Sequence, residues 1–232
     1  MQYYYLILNL ICIGFPLILS FDKNVAYYKK WKYVIFAIVF NAFIFIPWDI
    51  YFTRLGFWGF NSQYIVGNDL FDLPLEEVLF FVTVPFACIF IYECVKFYLM
   101  KIVHKLDMKL SWMYLLVFNA ITITFITVNY EKYYTLVAVT VTLVVANFCV
   151  FYFRKYVAIT IVSFVIICIP FLLVNSALTG SFSEAPIVWY NPEAISEIRF
   201  GTIPIEDFYY NLLLVISSFF FYFSAMRLLK AK

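Results

Sequence analysis

The sequence predicts an all-α integral membrane protein with about seven transmembrane helices. Of its 232 residues, 66% are hydrophobic and 13% are charged, and the mean hydropathy is +0.93. A soluble domain carries roughly 25% charged residues, so this chain cannot cover a surface that faces water on all sides. Apolar runs long enough to cross a bilayer recur along the whole chain. Together these observations place most of the protein in lipid.

Seven apolar runs define the expected helices, and short polar stretches separate them. The two longest connections lie between the second and third helices and between the sixth and seventh. The expected spans are at about 3–20, 33–52, 75–98, 112–129, 133–152, 156–175 and 206–228.

The charge distribution predicts the orientation in a cell membrane. One set of loops carries 13 of the 16 lysines and arginines, and the other set carries only Arg54, Lys132 and Arg199. Because cytoplasmic loops are enriched in basic residues, we expect the N-terminus outside and the C-terminus in the cytoplasm. The net charge of +2 and the lack of a basic stripe argue against a nucleic-acid partner.

Two segments of the chain resemble each other. The first contains Pro74-Leu75-Glu76-Glu77 and the second Pro204-Ile205-Glu206-Asp207, 130 residues apart, and Trp58 and Trp189 precede the two prolines at similar distances. With the same shift of 130 residues, helices one to three correspond in sequence to helices five to seven. Helix four has no counterpart and links the two sets. We therefore expect a first three-helix repeat at 1–100, a linking loop and helix at 101–131, and a second repeat at 132–232.

The extra helix decides where the two motifs lie. It makes the offset between the repeats four helices, so both repeats cross the membrane in the same sense and form parallel repeats. Both motifs then begin the last helix of their repeat at the same, outer membrane boundary. The sequence thus predicts that the two pairs of acids can share one pocket.

The motif acids have a structural and a chemical interpretation. A proline at the first position of a helix and a glutamate near the third are typical of a well-capped helix start. Yet one acid suffices for capping, and here two adjacent acids occur twice beside apolar residues. A carboxyl group near hydrocarbon is costly to ionise, and adjacent acids favour a shared proton. Such a site can offer one group that gives a proton and another that removes one. The candidate catalytic residues are Glu76, Glu77, Glu206 and Asp207.

An acid inside an apolar, aromatic cavity suits an unsaturated hydrocarbon as substrate, because only protonation of a double bond can activate such a molecule. The resulting carbocation is attracted to aromatic faces. Contact with lipid explains most of the 20 tyrosines and 29 phenylalanines equally well. Asp49, at the outer end of helix two, either orients a motif acid or caps the helix. The candidate substrate-binding residues are Phe80, Phe81, Tyr209, Tyr210, Trp58, Trp189 and Asp49.

The paired Pro-x-Glu-acid motifs, their spacing and the preceding tryptophans resemble the small membrane lycopene cyclases, in the form that fuses two domains in one chain. The resemblance covers nearly the whole sequence. It implies two three-helix units joined by an extra helix, and cyclisation of the linear ends of lycopene to β-ionone rings without a redox change. It further implies that Glu76 or Glu206 donates the proton and that a second carboxylate removes one from the ring. The second motif ends in Asp207 rather than glutamate, which leaves the role of that residue less defined.

The resemblance implies no metal and no other cofactor, and no Gly-x-Gly-x-x-Gly motif suggests a flavin. The expected partners are the lipid membrane and a carotenoid taken from it, and association with other carotenoid enzymes is possible.

Three alternative functions remain. A polyprenyl transferase would need acidic clusters for magnesium, which Asn68, Asp69 and Asp72 only partly imitate. A small transporter is compatible with parallel repeats and proline-containing helices. The chain could also be a non-catalytic assembly subunit.

Overall fold

The computed structural model describes residues 2–103, 108–153 and 156–230, and helices make up nearly all of its regular structure. The long helices are α1 (Tyr4–Leu19), α2 (Trp31–Arg54), α3 (Leu75–Tyr98), α5 (Met108–Val128), α6 (Tyr133–Tyr152), α7 (Val157–Leu178) and α8 (Ile205–Lys230). The short elements are a 3-10 helix at Tyr27–Lys30, α4 (Met100–Val103), β1 (Trp58–Phe60), β2 (Asp69–Leu70), β3 (Leu73–Pro74), β4 (Val188–Tyr190), β5 (Arg199–Phe200) and β6 (Ile203–Pro204).

The helices confirm the predicted membrane protein. Within the described residues, five helices are long and apolar enough to cross a bilayer, namely α2 with its preceding 3-10 turn, α3, α6, α7 and α8. Helix α1 and the Leu115–Val128 part of α5 are apolar but shorter. Each predicted span coincides with one of these seven helices to within a few residues. The chain is therefore a multi-pass, all-α membrane protein.

Helices α3 and α8 form the centre of the bundle, and more than half of each spanning segment is buried. Helix α3 packs against α1, α2, α7 and α8, while α8 packs against α6, α2 and α7. The pairs α1–α3 and α6–α8 occupy corresponding places, as the 130-residue shift predicts. The repeat boundaries at 1–100, 101–131 and 132–232 stay a prediction.

The two long connections meet on one side of the bundle. Strands β1 and β4 pair antiparallel, with Trp58 opposite Tyr190 and Gly59 opposite Trp189. The close approach requires glycine, because a Cβ atom at position 59 would lie 2.4 Å from a ring carbon of Trp189. This β1–β4 pair, here called the clasp, lies on the side of the bundle where α3 and α8 begin.

The motif prolines lie one position earlier than the sequence analysis expected. Pro74 is the N-cap of α3, with an extended ψ of 145°, and its preceding residue Leu73 pairs with Leu70 in a hairpin. The strand β3 thus continues to the proline, which fixes the first helical residue at Leu75. Glu76 is consequently the second residue of α3 rather than near its third position, and Glu77 is the third.

A buried glutamate anchors the opposite end of the bundle. Glu93 on α3 is only 2% exposed and forms an ion pair with Lys30, while the Tyr222 hydroxyl of α8 donates a hydrogen bond to its Oε1 at 2.7 Å. Lys96 lies 3.9 Å from the same oxygen. The largest of the three buried hydrophobic clusters in the described residues lies around this group, and many of its members are aromatic. Glu93 therefore joins α3, α8 and the turn before α2.

We expect Glu93→Ala to lower the free energy of unfolding by about 1–3 kcal/mol, because the Tyr222 hydroxyl would be left buried without its acceptor. Thermal unfolding in detergent micelles measures the change. The matched control is Asp72→Ala, which removes an exposed ion pair with Arg54 that contributes at most about 1 kcal/mol. An equal loss of unfolding free energy in the two variants would show that Glu93 does not anchor this end of the bundle.

Candidate active site

A cavity of about 420 Å³ lies between α1, α3, α7 and α8, and β1 and β4 cover its outer end. Along α3 it extends from Glu77 to Ile91, which corresponds to about 21 Å of helix. Between α1 and α7 the cavity is open to the side, where its lining residues Phe15 and Leu173 are 69% and 63% exposed. In a membrane this opening faces lipid. The cavity is therefore long and mostly apolar, and it reaches the lipid-facing surface of the bundle.

Three carboxyl groups line the outer end of this cavity. Asp49 comes from the last turns of α2, Glu77 from the first turn of α3 and Asp207 from the first turn of α8. All three are buried, with exposed fractions of 3%, 8% and 8%. Glu77 from the first motif and Asp207 from the second therefore line the same cavity, while their role as site residues stays a prediction.

Tyrosine hydroxyls bind two of these acids. The Tyr5 hydroxyl donates to Oε2 of Glu77 at 2.6 Å, and the Tyr210 hydroxyl donates to Oδ1 of Asp49 at 2.7 Å. Because burying a polar group without a partner costs free energy, these contacts stabilise two acids in an apolar cavity.

Asp207 has a different set of neighbours. The amide nitrogen of Asn175 donates to its Oδ2 at 2.7 Å, and the Tyr190 hydroxyl lies 2.9 and 3.0 Å from its two oxygens. Burial, and next the nearby negative charge of Asp207, raise the pKa of Tyr190 well above its usual value. Tyr190 on the outer strand β4 therefore keeps its proton and donates it in this hydrogen bond.

The other two motif acids lie behind the cavity wall and bind the outer loops. Glu76 Oε1 accepts a hydrogen bond from the Val66 N–H at 2.7 Å, and Glu206 Oε1 accepts one from the Ser196 N–H at 2.8 Å. The Thr135 hydroxyl donates to Glu206 as well. Both glutamates are fully buried, and neither lines the cavity. Their backbone contacts are 130 residues apart, so this loop attachment occurs once in each repeat.

Aromatic rings surround the cavity next to the three acids. Trp58, Phe80 and Tyr210 line it, and their predicted role in substrate binding stays a prediction. Tyr134 lines it too and contacts Trp58 edge to face, with ring centroids 4.7 Å apart. Aromatic rings therefore lie beside the three acids, and their electron-rich faces attract cations.

Three predicted aromatic contacts lie elsewhere in the structure. Phe81 is fully buried and packs against Phe45, away from the cavity. Tyr209 stacks on Phe125 and lines a second, wholly separate apolar cavity of about 460 Å³. The ring of Trp189 covers Gly59 on the outer face of the clasp and is 44% exposed.

The sequence analysis missed four residues of the site. Tyr5, Tyr134 and Tyr190 do not stand out among the many tyrosines of the sequence, and Asn175 was not named as a site residue. Asn175 had a usable signal, because it is a lone amide close to the end of a very apolar run. Nothing in the local pattern distinguishes the three tyrosines, since their role depends on contacts with distant helices.

The arrangement defines a class of protein: a multi-pass membrane protein with buried carboxyl groups at one end of a cavity lined by aliphatic and aromatic side chains. The family model described as lycopene cyclase matches the chain twice, over residues 2–95 and 131–224, which together are more than half of the sequence. The chain belongs to the lycopene cyclase family. No solved structure matches it.

Similar proteins are found among fungal bifunctional lycopene cyclase/phytoene synthases. The protein from Pyrenophora tritici-repentis is 51% identical and that from Leptosphaeria maculans 54% identical, each over 37 residues, or 16% of this chain and 6% of the relative. The protein from Phaeosphaeria nodorum is 40% identical over 48 residues, which cover 21% of this chain and 8% of the relative. The matched stretches thus span a small part of these relatives.

We expect Glu206→Ala to loosen the second outer loop. The variant leaves the Ser196 N–H without its acceptor, so amide exchange around Ser196 should become at least about tenfold faster, which corresponds to 1.4 kcal/mol. Hydrogen-exchange mass spectrometry in detergent measures this rate. Glu193→Ala, an exposed change in the same loop, is the control. Unchanged exchange in Glu206→Ala would show that the carboxylate does not hold the loop.

Proposed function

We propose that this chain is a lycopene cyclase that converts the linear ends of its substrate to β-ionone rings by acid–base catalysis. The observation that carries the proposal is the meeting of buried carboxyl groups from both repeats at the closed end of one apolar cavity. Membership of the lycopene cyclase family supports the same chemistry. An apolar polyene offers no group for hydrogen bonding, so the cavity needs only apolar walls and a well-placed acid.

The proposed reaction is an isomerisation in which every atom is conserved. A carboxylic acid gives a proton to the terminal double bond, and the charge develops on the more substituted carbon. The next suitably placed double bond attacks that carbon, which closes a six-membered ring and moves the charge into the ring. A carboxylate then removes a neighbouring ring proton, and a new double bond forms. No electron is gained or lost.

The geometry favours Glu77 and Asp207 for the two proton transfers, because both line the cavity and each comes from one motif. Glu76 and Glu206 accept backbone hydrogen bonds from the outer loops. The prediction that Glu76 or Glu206 is the donor stays open to experiment. We propose that these two glutamates hold the loops that cover the end of the cavity, while Glu77 and Asp207 face the substrate.

The aromatic lining fits a cationic intermediate. Trp58, Tyr134 and Phe80 surround the end of the cavity that holds the acids. A cation over an aromatic face in a site without water gains about 2 kcal/mol or more per contact. The walls near the acids therefore stabilise the charged ring, and the deeper apolar walls hold the polyene chain.

A polyprenyl transferase is less compatible with the site. The acids that partly imitate a magnesium cluster lie on the exposed β2–β3 hairpin, where Asp72 forms an ion pair with Arg54 at 2.6 Å. They are not part of the cavity lining.

We further propose a location in the cell membrane, with the clasp side outside and the Glu93 side in the cytoplasm, and a carotenoid supplied from the bilayer.

The first test is pigment conversion in a lycopene-accumulating bacterium that expresses the chain. We expect cyclic carotenoid with the wild type and at least about a 100-fold lower rate with Glu77→Gln and with Asp207→Asn, since a positioned acid or base contributes about 10²–10⁴-fold. Chromatography of extracted pigment, normalised to the amount of protein in the membrane, measures the rate.

The matched control for Glu77→Gln is Glu76→Gln, which keeps an oxygen to accept the Val66 hydrogen bond and leaves the cavity lining unchanged. We expect this variant to retain more than about a tenth of the wild-type rate. Wild-type conversion by both Glu77→Gln and Asp207→Asn would refute the proposed roles. Unchanged lycopene with the wild-type chain would refute the function itself.

The lateral opening gives a second test. Cys12 lines the cavity beside the opening, so Cys12→Trp should block it and lower conversion at least about tenfold at low substrate. Gly14, two residues further on, is outside the lining and has open space around it, so Gly14→Trp should have little effect. Equal activity of the two variants would show that the substrate does not enter between α1 and α7.

A further inference from the structure

The second cavity lies on the other side of α8 from the carboxyl groups. Its walls come from α5, α6, α7 and α8, and it shares no lining residue with the first cavity. Tyr210 lines the first cavity, and its neighbour Tyr209 lines the second. The volumes are about 420 Å³ for the first cavity and about 460 Å³ for the second. The second cavity therefore has room for a molecule as large as the first can hold.

The second cavity extends across most of the membrane. Its lining residues on α8 run from Ile205, the first residue of the helix, to Phe223, which corresponds to about 27 Å of helix. The hydrocarbon core of a bilayer is about 30 Å thick, so a lipid acyl chain, which belongs to one leaflet, reaches only about half of this length. A single molecule that fills the cavity must therefore be a long rod rather than one lipid tail.

Two contacts hold α5 in place as a wall of the second cavity. The side-chain amides of Asn119 and Asn147 exchange hydrogen bonds at 3.1 and 2.8 Å, which join α5 to α6. Phe125, near the end of α5, stacks on Tyr209 of α8 with ring centroids 5.7 Å apart. Amide pairs of this kind favour helix association in lipid. The space between α5 and α8 is therefore bounded by specific contacts and is part of the fold.

The lining of the second cavity is apolar and rich in aromatic rings. Among the described residues that form it, nine of 21 are Phe or Tyr and none is charged. Its hydroxyl groups belong to Thr160 and Tyr209, and that of Tyr209 lies 3.4 Å from the Thr122 hydroxyl. This lining thus offers no charged partner for a lipid headgroup. It also offers no carboxyl group that could protonate a double bond.

The physics of binding in such a cavity favours a rigid ligand. A molecule that leaves lipid for an apolar cavity gains no hydrophobic free energy, so binding depends on packing. A saturated acyl chain has many rotatable bonds and loses conformational entropy when it is fixed, whereas a conjugated polyene is already straight and loses little. The flat faces of a polyene also make extensive dispersion contacts with aromatic rings. The length, charge and aromatic content of the cavity therefore all favour a linear polyene.

We propose that the second cavity is a non-catalytic binding site for a linear polyene hydrocarbon, which lies along α8 across the bilayer. The inference rests on the proposed function for the class of ligand and goes beyond it, because binding at this site needs no proton transfer. One chain then holds two polyenes at once, one on each side of α8. Only the polyene beside the carboxyl groups is cyclised.

The test counts bound polyenes with a linear conjugated hydrocarbon whose terminal double bonds are saturated, so that it binds without being cyclised. A polyene dissolved in lipid shows no circular dichroism, whereas one held in a chiral protein cavity shows it in its visible absorption band. This signal is titrated with purified protein in lipid nanodiscs.

Four variants separate the two cavities. Leu212→Trp and Thr160→Trp fill the second cavity from α8 and from α7, so the test stays valid if either variant fails to fold. Cys12→Trp fills the first cavity. Val165→Trp is the matched control, because Val165 is 58% exposed and outside both linings.

We expect the signal to saturate at two polyenes per chain in the wild type and in the control, and at one in each of the other three variants. Lycopene conversion by Leu212→Trp should stay within about threefold of wild type. Saturation at one polyene in the wild type, or at two in both variants of the second cavity, would overturn the inference. Native mass spectrometry that finds a phospholipid in the second cavity instead of the polyene would also overturn it. A wild type that binds two polyenes but forms no ring from lycopene would instead refute the proposed function.

Discussion

The cost of burying carboxyl groups in a hydrocarbon environment governs the architecture of the outer half of this protein. Each of five acids, Asp49, Glu76, Glu77, Glu206 and Asp207, is almost fully buried and has hydrogen-bond donors that come from other parts of the chain. Because an unpaired buried charge is so unfavourable, these donors must stay in place. The need to keep these acids hydrogen-bonded therefore holds the loops, the β1–β4 clasp and the tyrosines in place.

The sequence was sufficient to predict what depends on local pattern. Apolar runs defined the seven helices, and the repeated proline–acid motif predicted that both repeats contribute acids to one pocket. Pattern could not decide which acid of each motif faces the cavity. That choice follows from the pairing of Leu70 with Leu73, which places the proline before the helix and rotates Glu77 inward and Glu76 toward the loop. A shift of one residue turns a helix by about 100°.

Long-range contacts also explain the other differences. The tyrosines at positions 5 and 190 approach their acids from other elements of the chain, and no spacing rule connects them. Phe81 and Tyr209 were assigned from their distance along the helix, but the neighbouring helices α2 and α5 cover those faces. Repetition is a poor guide to the site, because positions 130 residues apart carry Asp49 and Thr179, or Phe45 and Asn175.

The side opening between α1 and α7 has a consequence for how turnover depends on concentration. A molecule that enters from the bilayer is diluted by lipid rather than by water, so the relevant quantity is its mole fraction in the membrane. Adding lipid at a fixed amount of substrate would slow a site of this kind, although the bulk concentration is unchanged. Under the proposed function, the product would leave into the same two-dimensional phase, and an enzyme that uses it would need access within that plane.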